Sequence, residues 1–338
     1  GYDKDNILNS NSSETTIQNF VNKELIHFSN SDTNRSIGSV FDGLKPSQRK
    51  ILFSCFKRKL YSEIRVAQLA GYVSENAAYH HGEASLQSTI IGMAQTFVGS
   101  NNINLLTPNG QFGSRIMGGA DAASPRYIHT ELNPVVKLLF PESDFPILNY
   151  LEDDGLSIEP VNYIPIIPLV LVNGMVGIGT GFSTNIPQYN PIDIIKNIKN
   201  KLNNKPYKDM MPWYSGFNGQ IYSVSKNKFS TYGVYDIIDA NTIEITELPI
   251  GTWTQNYKSF LDTLIYNKQA PSKSQCIISY EDHSTDSRIM FRVKLVDINI
   301  DFDKLFKLTS SKTTTNMHLY DAHNKIKKYN SIFDIFDE

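Results

Sequence analysis

Residues 74–97 of the chain read SENAAYHHGEASLQSTIIGMAQTF. This sequence predicts a helical segment over 74–79, a turn at His80-His81-Gly82, and a longer helix from about Glu83 to Phe97. The longer helix carries apolar residues close to the 3.6-residue helical period, at Leu86, Ile90, Met93 or Ala94, and Phe97. Two helices joined by a short turn that contains glycine form a helix-turn-helix, whose second helix can lie against duplex DNA.

Three more helices are predicted before this motif, at Thr16–Phe28, Ser47–Leu60 and Val66–Gly71, from apolar residues at helical spacing. Residues 1–15 are dominated by Asn, Ser, Asp and Thr, a composition typical of disordered chain. Helical periodicity by itself favours an unrelated helical bundle. The choice between such a bundle and a DNA-binding helix-turn-helix must therefore rest on other residues.

A glycine-rich stretch follows at 108–127, PNGQFGSRIMGGADAASPRY, and it ends with Arg126 beside Tyr127. A tyrosine that attacks a phosphodiester needs help, because an ordinary phenol has a pKa of about 10 and is protonated at neutral pH. An adjacent guanidinium favours the phenolate and neutralises charge that builds up on phosphorus. Glycines let the backbone come close to a polyanion. On this chemistry alone, an Arg-Tyr pair is more often an ordinary surface pair than a nucleophile.

The residues around this pair resemble the active-site segment of type IIA DNA topoisomerases, most closely that of the eukaryotic and large-virus branch. The resemblance extends from about residue 15 to the C-terminus. Three further blocks carry it in the same order as in the family, and they are Phe20–Ile26 with Arg35–Lys50, Tyr79–Glu83, and Leu171–Gly181. Long motifs in a fixed order are poorly explained by chance.

The resemblance implies an α+β chain with two folded parts. Residues 16–147 would form a winged-helix DNA-cleavage domain, with the glycine-rich stretch as the wing. Residues 148–338 would form an α/β tower (shoulder) domain that ends before a coiled coil, and strand-like runs alternate there with predicted helices. The runs are 164–172, 219–224, 242–249, 276–280 and 289–295, the helices are 191–203, 253–267 and 302–306, and an exposed loop is predicted at 271–275.

The resemblance also implies catalytic roles. Tyr127 would attack a DNA phosphate and form a 5′-phosphotyrosyl link, and Arg126 would stabilise the crowded phosphorane. His81 would lie near the scissile phosphate or the leaving 3′-oxygen, where an imidazole suits proton transfer or hydrogen bonding. Its neighbour His80 would position the backbone. No metal site is predicted, because adjacent histidines do not easily share one ion and no partner cluster is visible.

DNA contacts are implied along much of the chain. Ile178 matches an isoleucine that wedges between base pairs and bends the cleaved segment, and its flanking glycines would let the backbone approach the minor groove. Arg49 and Lys50 are further candidates for phosphate contacts. The residues that match family DNA contacts are Arg35, Lys45, Tyr79, His80, Ser85, Lys307, Lys312 and Asn316.

Basic charge is concentrated in the segment that holds Tyr127. The chain has a net charge of −2, but residues 35–130 carry ten Lys or Arg against five Asp or Glu, and the remainder has a net charge of −7. Phosphate binding depends on local charge, so the total does not exclude a DNA partner. Cys55 and Cys276 match no metal-ligand spacing and favour a reducing compartment without disulfides.

Several motifs of the resembled family are not in the sequence. The acidic Glu-Gly-Asp-Ser-Ala block of its magnesium-binding TOPRIM domain is missing, as are the nucleotide motifs of its ATPase region. The resemblance therefore implies one piece of a longer polypeptide, with Mg²⁺ and ATP bound outside this chain. It implies double-stranded DNA as a partner and a homodimer as the assembly. Gly38, Ala120 and Phe182 stand where the family usually has proline, lysine and tryptophan.

Two other functions fit parts of the sequence. The first is a duplex-binding module that no longer cuts DNA, and the retention of both Tyr127 and Arg126 argues against it. The second is a nucleotide-dependent oxidoreductase built on the glycines of 174–181, but a dinucleotide-binding loop opens directly into a helix, whereas FSTNIP follows here. No stretch is long and apolar enough to predict a membrane role. The expected compartment is the nucleus for a cellular protein, or the host cytoplasm or virion for a viral one.

Overall fold

The computed structural model describes residues 2–9, 11, 13–265, 276–296 and 301–338. Helices and strands are mixed along the chain, as predicted. The loop predicted at 271–275 lies outside the described residues. No described helix combines the length and the apolar character that a membrane crossing requires.

The first half of the chain is mainly helical. The helix predicted over Thr16–Phe28 is longer than expected, because a π-helix over Val21–Leu25 joins two α-helices into one helical stretch that ends at Ser36. The helices are α1 Ile17–Phe20, α2 Ile26–Ser36, α3 Pro46–Arg58, α4 Val66–Asn76, α5 Glu83–Ala94, α6 Val136–Leu139 and α7 Leu169–Val172, with a 3-10 helix over Glu142–Ile147.

Two predicted helix ends in the helix-turn-helix region are wrong. The third helix continues past Gly71 to Asn76, because its buried face continues from Leu69 to Val73, and it takes the place of the separate segment predicted over 74–79. Helix α5 ends at Ala94 instead of Phe97. The side-chain amide of Asn101 donates to the carbonyls of residues 92 and 95 at 2.8 and 2.9 Å, which satisfies acceptors at this helix end.

The strand predicted over 164–172 is also wrong, because this run forms a turn followed by the short helix α7. Pro165 and Pro168 have no N–H to donate to a strand ladder. All four residues of α7 are buried. A short apolar run that is buried on every side has the same pattern in a strand and in a helix.

The described strands pair antiparallel, and most of them lie in the second half of the chain. The strands are β1 Ile64–Arg65, β2 His129–Thr130, β3 Tyr150–Asp153, β4 Leu156–Pro160, β5 Met175–Ile178, β6 Ser183–Ile186, β7 Gln220–Ser225, β8 Lys228–Tyr232, β9 Val234–Asp239, β10 Thr242–Glu247, β11 Ile277–Asp282, β12 Phe291–Leu295, β13 Thr309–Thr313, β14 His318–Tyr320 and β15 Ile326–Lys328. A four-stranded sheet has the order β11-β12-β10-β9, a three-stranded sheet has the order β13-β8-β7, and the remaining strands form pairs. The helices between and after them are α8 Pro191–Leu202, α9 Thr254–Thr263, α10 Phe302–Leu305 and α11 Ile332–Asp337.

Two hydrophobic cores are distributed differently from the predicted domains. The first core extends from Val40 past residue 147 to Ile194, and the segment from Met317 to Ile335 returns to it. The second core lies between Ile243 and Leu308. The boundary at residue 147 stays a prediction, but buried side chains on both of its sides share one core.

The hairpin β5–β6 packs against the end of α2. Its register pairs Met175 with Ile186 and Ile178 with Ser183. A Cβ at Gly177 would overlap the carbonyl oxygen of Ser36, and one at Gly179 would lie 2.9 Å from the Cα of Thr33. These two glycines therefore permit backbone contact between the hairpin and α2, which differs from their expected role of approaching DNA.

We predict that Gly177→Ala lowers the free energy of unfolding by about 1–3 kcal/mol, the range for inserting a methyl group into a packed contact. Gly71→Ala is the matched control, because Gly71 lies in α4 with open space where a Cβ would stand, and we expect it to stabilise the protein by up to ~1 kcal/mol. Urea unfolding of the two variants measures the difference. Equal effects would show that the hairpin does not depend on this close approach.

Candidate active site and nucleic-acid interface

Tyr127 lies on a short loop, residues 124–128, that is fixed to the start of α4. The first backbone N–H groups of a helix have no partner within it. Here the N–H of Val66 donates to the carbonyl of Ile128 at 3.0 Å, and the N–H of Ala67 donates to that of Pro125 at 3.1 Å. Ile128 is buried, whereas the side chain of Tyr127 is 72% exposed. The phenol therefore faces solvent from a backbone that is held on both sides.

The glycine-rich stretch is folded upon itself. The Asp121 carboxylate accepts hydrogen bonds from the backbone and the hydroxyl of Ser114. A Cβ at Gly118 would overlap the indole ring of Trp253, and one at Gly113 would lie 2.6 Å from the Cα of Gly119. These glycines make room for other parts of the protein, and the expectation that they admit a polyanion stays a prediction.

A buried ion pair connects the glycine-rich stretch to the second half of the chain. The guanidinium of Arg115 pairs with the carboxylate of Glu247 at the end of β10, and it also donates to the carbonyl of Leu248. Both charged side chains are almost fully buried. Losing one partner would leave an uncompensated charge in the interior, so this pair holds the two regions in one arrangement.

Five predicted site residues meet at one surface depression of about 330 Å³. Helix α2 contributes Arg35, the turn between α4 and α5 contributes Tyr79, His80 and His81, and the first turn of α5 contributes Ser85. The rings of Tyr79 and His81 meet edge to face with centroids 5.4 Å apart. The structure thus unites side chains that lie up to 50 residues apart in sequence.

The hairpin β3–β4 supports the histidine turn with two carboxylates. Oδ2 of Asp153 lies 3.1 Å from Nε2 of His80. Glu159 is buried and pairs at 2.9 Å with the ammonium of Lys50, which also donates to the carbonyl of Ala77 just before the turn. This ammonium group therefore ties α3, β4 and the end of α4 together.

Arg49 and Lys50 differ from their expected role as phosphate contacts. Nε of Arg49 lies 2.7 Å from Oδ2 of Asp42, inside the protein, and Asp42 also accepts from the backbone N–H of Tyr163. Because Arg49 is buried, the expectation is wrong for it. The ammonium of Lys50 is engaged by Glu159 and the Ala77 carbonyl.

Lys45 and Lys312 line a second cavity of about 390 Å³, beside the hairpin β5–β6. Nζ of Lys45 donates to the carbonyl of Val176 at 2.9 Å. Burial lowers the pKa of both lysines. At the far end of the same hairpin, Ile178 projects an apolar side chain that is 81% exposed.

The other two predicted contacts lie apart from these lysines. Asn316 donates to Oγ of Ser183 at 2.7 Å and so supports the strand β6. Lys307 places its ammonium over the ring of Phe260, 4.4 Å from the ring centroid. The segment between Lys307 and Asn316 forms strand β13, which pairs with β8.

Sequence reasoning missed the acidic residues that hold the site together. Asp32, Asp153 and Glu159 each pair with a residue of the candidate site, but none lies in a distinctive motif. A carboxylate in a helix or strand gives no signal of its partner when that partner is 73 or 109 residues away. In the described ranges, no group of three or more His, Cys, Asp or Glu side chains is arranged to hold a metal ion.

Comparison with known proteins places these features in a family. The sequence profile of the DNA gyrase/topoisomerase IV A-subunit family matches residues 35–338. The chain belongs to this family. Its resemblance to the type IIA topoisomerases is thereby confirmed.

Individual relatives are similar over nearly the whole chain. DNA topoisomerase 2 of Plasmodium falciparum is 52% identical over 94% of the chain, and DNA topoisomerase 2-alpha of Mus musculus is 47% identical over 99%. The chain spans 23% and 22% of the lengths of these two relatives. The crystal structure of the Plasmodium falciparum topoisomerase II DNA-binding, cleavage and re-ligation domain is 50% identical with a TM-score of 0.90, over 98% of this chain and 46% of that one.

We predict that Lys50→Met lowers the free energy of unfolding by about 3–5 kcal/mol, because it leaves the buried carboxylate of Glu159 without its partner. Adding Glu159→Gln should recover most of this loss. Lys196→Met is the control, since its pair with Asp193 is exposed, and it should cost less than ~1 kcal/mol. Equal losses for the two lysine variants, measured by urea unfolding, would refute the structural role of Lys50.

Proposed function

We propose that this chain is the DNA breakage-reunion part of a type II DNA topoisomerase. The observation that carries the proposal is the 72% exposed Tyr127 beside the exposed Arg126, on a loop fixed to α4. The family match and the similarity to a topoisomerase II cleavage and re-ligation domain support it. Within this breakage-reunion part we assign two domains, a winged-helix domain around α4 and α5 and a tower domain around the second core.

The reaction is a transesterification. The phenolic oxygen of Tyr127 attacks a DNA phosphorus, a bond forms between them, and the bond from phosphorus to the 3′-oxygen breaks. The phenolic proton leaves with a base and the 3′-oxygen acquires a proton, so a 5′-phosphotyrosyl link and a free 3′-hydroxyl result. One phosphoester bond replaces another, and the reverse attack reseals the strand.

Arg126 and His81 assist different parts of this step. The guanidinium of Arg126 stabilises the negative charge of the phosphorane. His81 hydrogen-bonds the scissile phosphate or serves the proton of the 3′-oxygen, because an imidazole changes charge near neutral pH. His80, held by Asp153, positions the turn.

The remaining predicted contacts bind and bend the duplex. Arg35, Lys45, Tyr79 and Ser85 contact the backbone near the cut, and Ile178 enters between two base pairs and kinks the DNA. Further contacts are made at the second cavity and along the C-terminal segment by Lys307, Lys312 and Asn316. Basic side chains that neutralise phosphates make binding sensitive to salt.

Other parts of the parent protein complete the enzyme. TOPRIM and ATPase regions of the same polypeptide would bind Mg²⁺ and ATP, and Mg²⁺ held there would supply Lewis-acid stabilisation of the charge that develops during cleavage. The described residues of this chain offer no carboxylate cluster for that ion. Two copies of the chain, with one Tyr127 for each strand, cut a duplex so that another can pass. We place the parent inside the cell, in the nucleus or, for a virus, in the host cell or the virion.

We predict that Tyr127→Phe abolishes cleavage of a duplex by the full-length protein while duplex affinity stays within about twofold of the wild type, since one hydroxyl contributes little to binding through many phosphate contacts. Tyr222→Phe is the control, because Tyr222 is also exposed, at 56%. Denaturant-quenched cleavage and binding assays measure the two effects. Binding without cleavage by the wild type would instead support the alternative, a non-catalytic duplex-binding module.

We also predict a pH dependence of duplex affinity. Burial lowers the pKa of Lys45 and Lys312, and only their protonated ammonium groups attract phosphate. Affinity should therefore fall as the pH rises through these lowered values, below the pKa of about 10.4 of a free lysine. The double variant Lys45→Arg/Lys312→Arg should lose this fall at pH values below that of a free lysine, because guanidinium stays charged. An identical pH profile of the variant would contradict the assignment.

A further inference from the structure

Asp32 connects the tip of the hairpin β5–β6 to Arg35. Its Oδ2 accepts hydrogen bonds from the backbone N–H and from Oγ1 of Thr180, both at 2.9 Å. Its Oδ1 lies 3.0 Å from Nη2 of Arg35. Thr180 lies two residues after Ile178, and the two carboxylate oxygens therefore serve two different functional elements.

Further contacts reinforce this junction between the hairpin tip and α2. The carbonyl of Thr180 accepts from the hydroxyl of Thr33 at 3.2 Å. Gly177 and Gly179 let the hairpin backbone touch α2 at Ser36 and Thr33, where any side chain would overlap. The hairpin tip is thus attached to the C-terminal part of α2 by three hydrogen bonds and by close packing.

The pair between Asp32 and Arg35 has a simpler explanation as a surface i,i+3 pair, which contributes little to helix stability. That explanation does not account for Thr180, which comes from a segment 148 residues away and gives the same carboxylate two hydrogen bonds. Asp32 also lies just before the last turn of α2, near the end where the helix dipole opposes a negative charge. The hydrogen bonds from Thr180 and Arg35 lower the pKa of Asp32, which favours its charged form.

We propose that Asp32 and Thr180 are positioning residues that couple DNA bending to capture of the phosphate near the cut. This inference rests on the proposed function, in which Ile178 bends the duplex and Arg35 contacts its backbone. A duplex that is kinked over Ile178 pushes back on the hairpin tip. The hydrogen bonds between the hairpin tip and α2 resist this force and set the distance from Ile178 to Arg35. Only a bent duplex therefore presents its phosphate to Arg35.

The coupling predicts how a weakened junction changes the bending and the cleavage of DNA. A weakened junction lets the hairpin yield under load, so less of the bound DNA is bent and less is cleaved. The defect should disappear when bending is made easy by the DNA itself, because a flexible step places little load on the hairpin. Loss of Arg35 should not be corrected in this way, since the phosphate contact itself is missing.

The test uses the full-length protein with Mg²⁺ and two labelled duplexes, one fully paired and one with a two-base mismatch at the bend. Energy transfer between the DNA ends measures bending, and denaturant-quenched gels measure cleavage. For Thr180→Val we expect about tenfold less cleavage of the paired duplex with a matching loss of bending, the scale for losing a hydrogen bond to a charged group. On the mismatched duplex we expect cleavage within about twofold of the wild type, since that step bends at little cost.

Three variants complete the design. Thr180→Ser keeps the hydroxyl and should restore both readouts. Arg35→Ala should cleave poorly on both duplexes while bending is retained. Thr263→Val removes a threonine hydroxyl that donates to the carbonyl of Phe260 in its own helix and should behave as the wild type.

The outcomes separate this inference from the proposed function. Wild-type bending and cleavage by Thr180→Val would overturn the coupling and leave the proposed function intact. A cleavage defect of Thr180→Val that persists on the mismatched duplex would also overturn it. Wild-type protein that neither bends nor cleaves the paired duplex would overturn the proposed function itself.

Discussion

The role that we propose for Tyr127 requires a side chain that is exposed to DNA and yet fixed in position, and the structure meets both requirements. Tyr127 projects into solvent, but the next residue, Ile128, is buried, and carbonyls on both sides of the tyrosine accept from the first turn of α4. The buried pair of Arg115 and Glu247 then joins the same stretch to the second half of the chain. Tyr127, to which we assign the chemistry, therefore lies at the surface, while the groups that hold its backbone lie inside.

Acidic side chains perform much of this positioning. Asp32 holds Arg35, Asp153 holds His80, and Glu159 holds the lysine that binds the carbonyl of Ala77. These carboxylates restrict where their partners point, which, under the proposed function, prepares the surface for phosphate before DNA arrives.

The sequence predicted the helix-turn-helix region and the residues of the depression because their signals are local. Helical period and motif order are read directly, so His80, His81, Ser85 and Arg35 could each be given a role through the family resemblance. The strand expected over 164–172 failed because a run buried on all sides has no diagnostic period. The role of Gly118 could not be read either, since it depends on Trp253, which is distant in sequence and adjacent only in the fold.

Mapping of the covalent adduct tests the central claim most directly. The full-length protein is mixed with duplex DNA and Mg²⁺, quenched with denaturant and digested with nuclease and protease, and the modified peptide is sequenced by mass spectrometry. We predict a nucleotide joined through its 5′-phosphate to the phenolic oxygen of Tyr127. A nucleotide on another residue, or one joined through a 3′-phosphate, would contradict it.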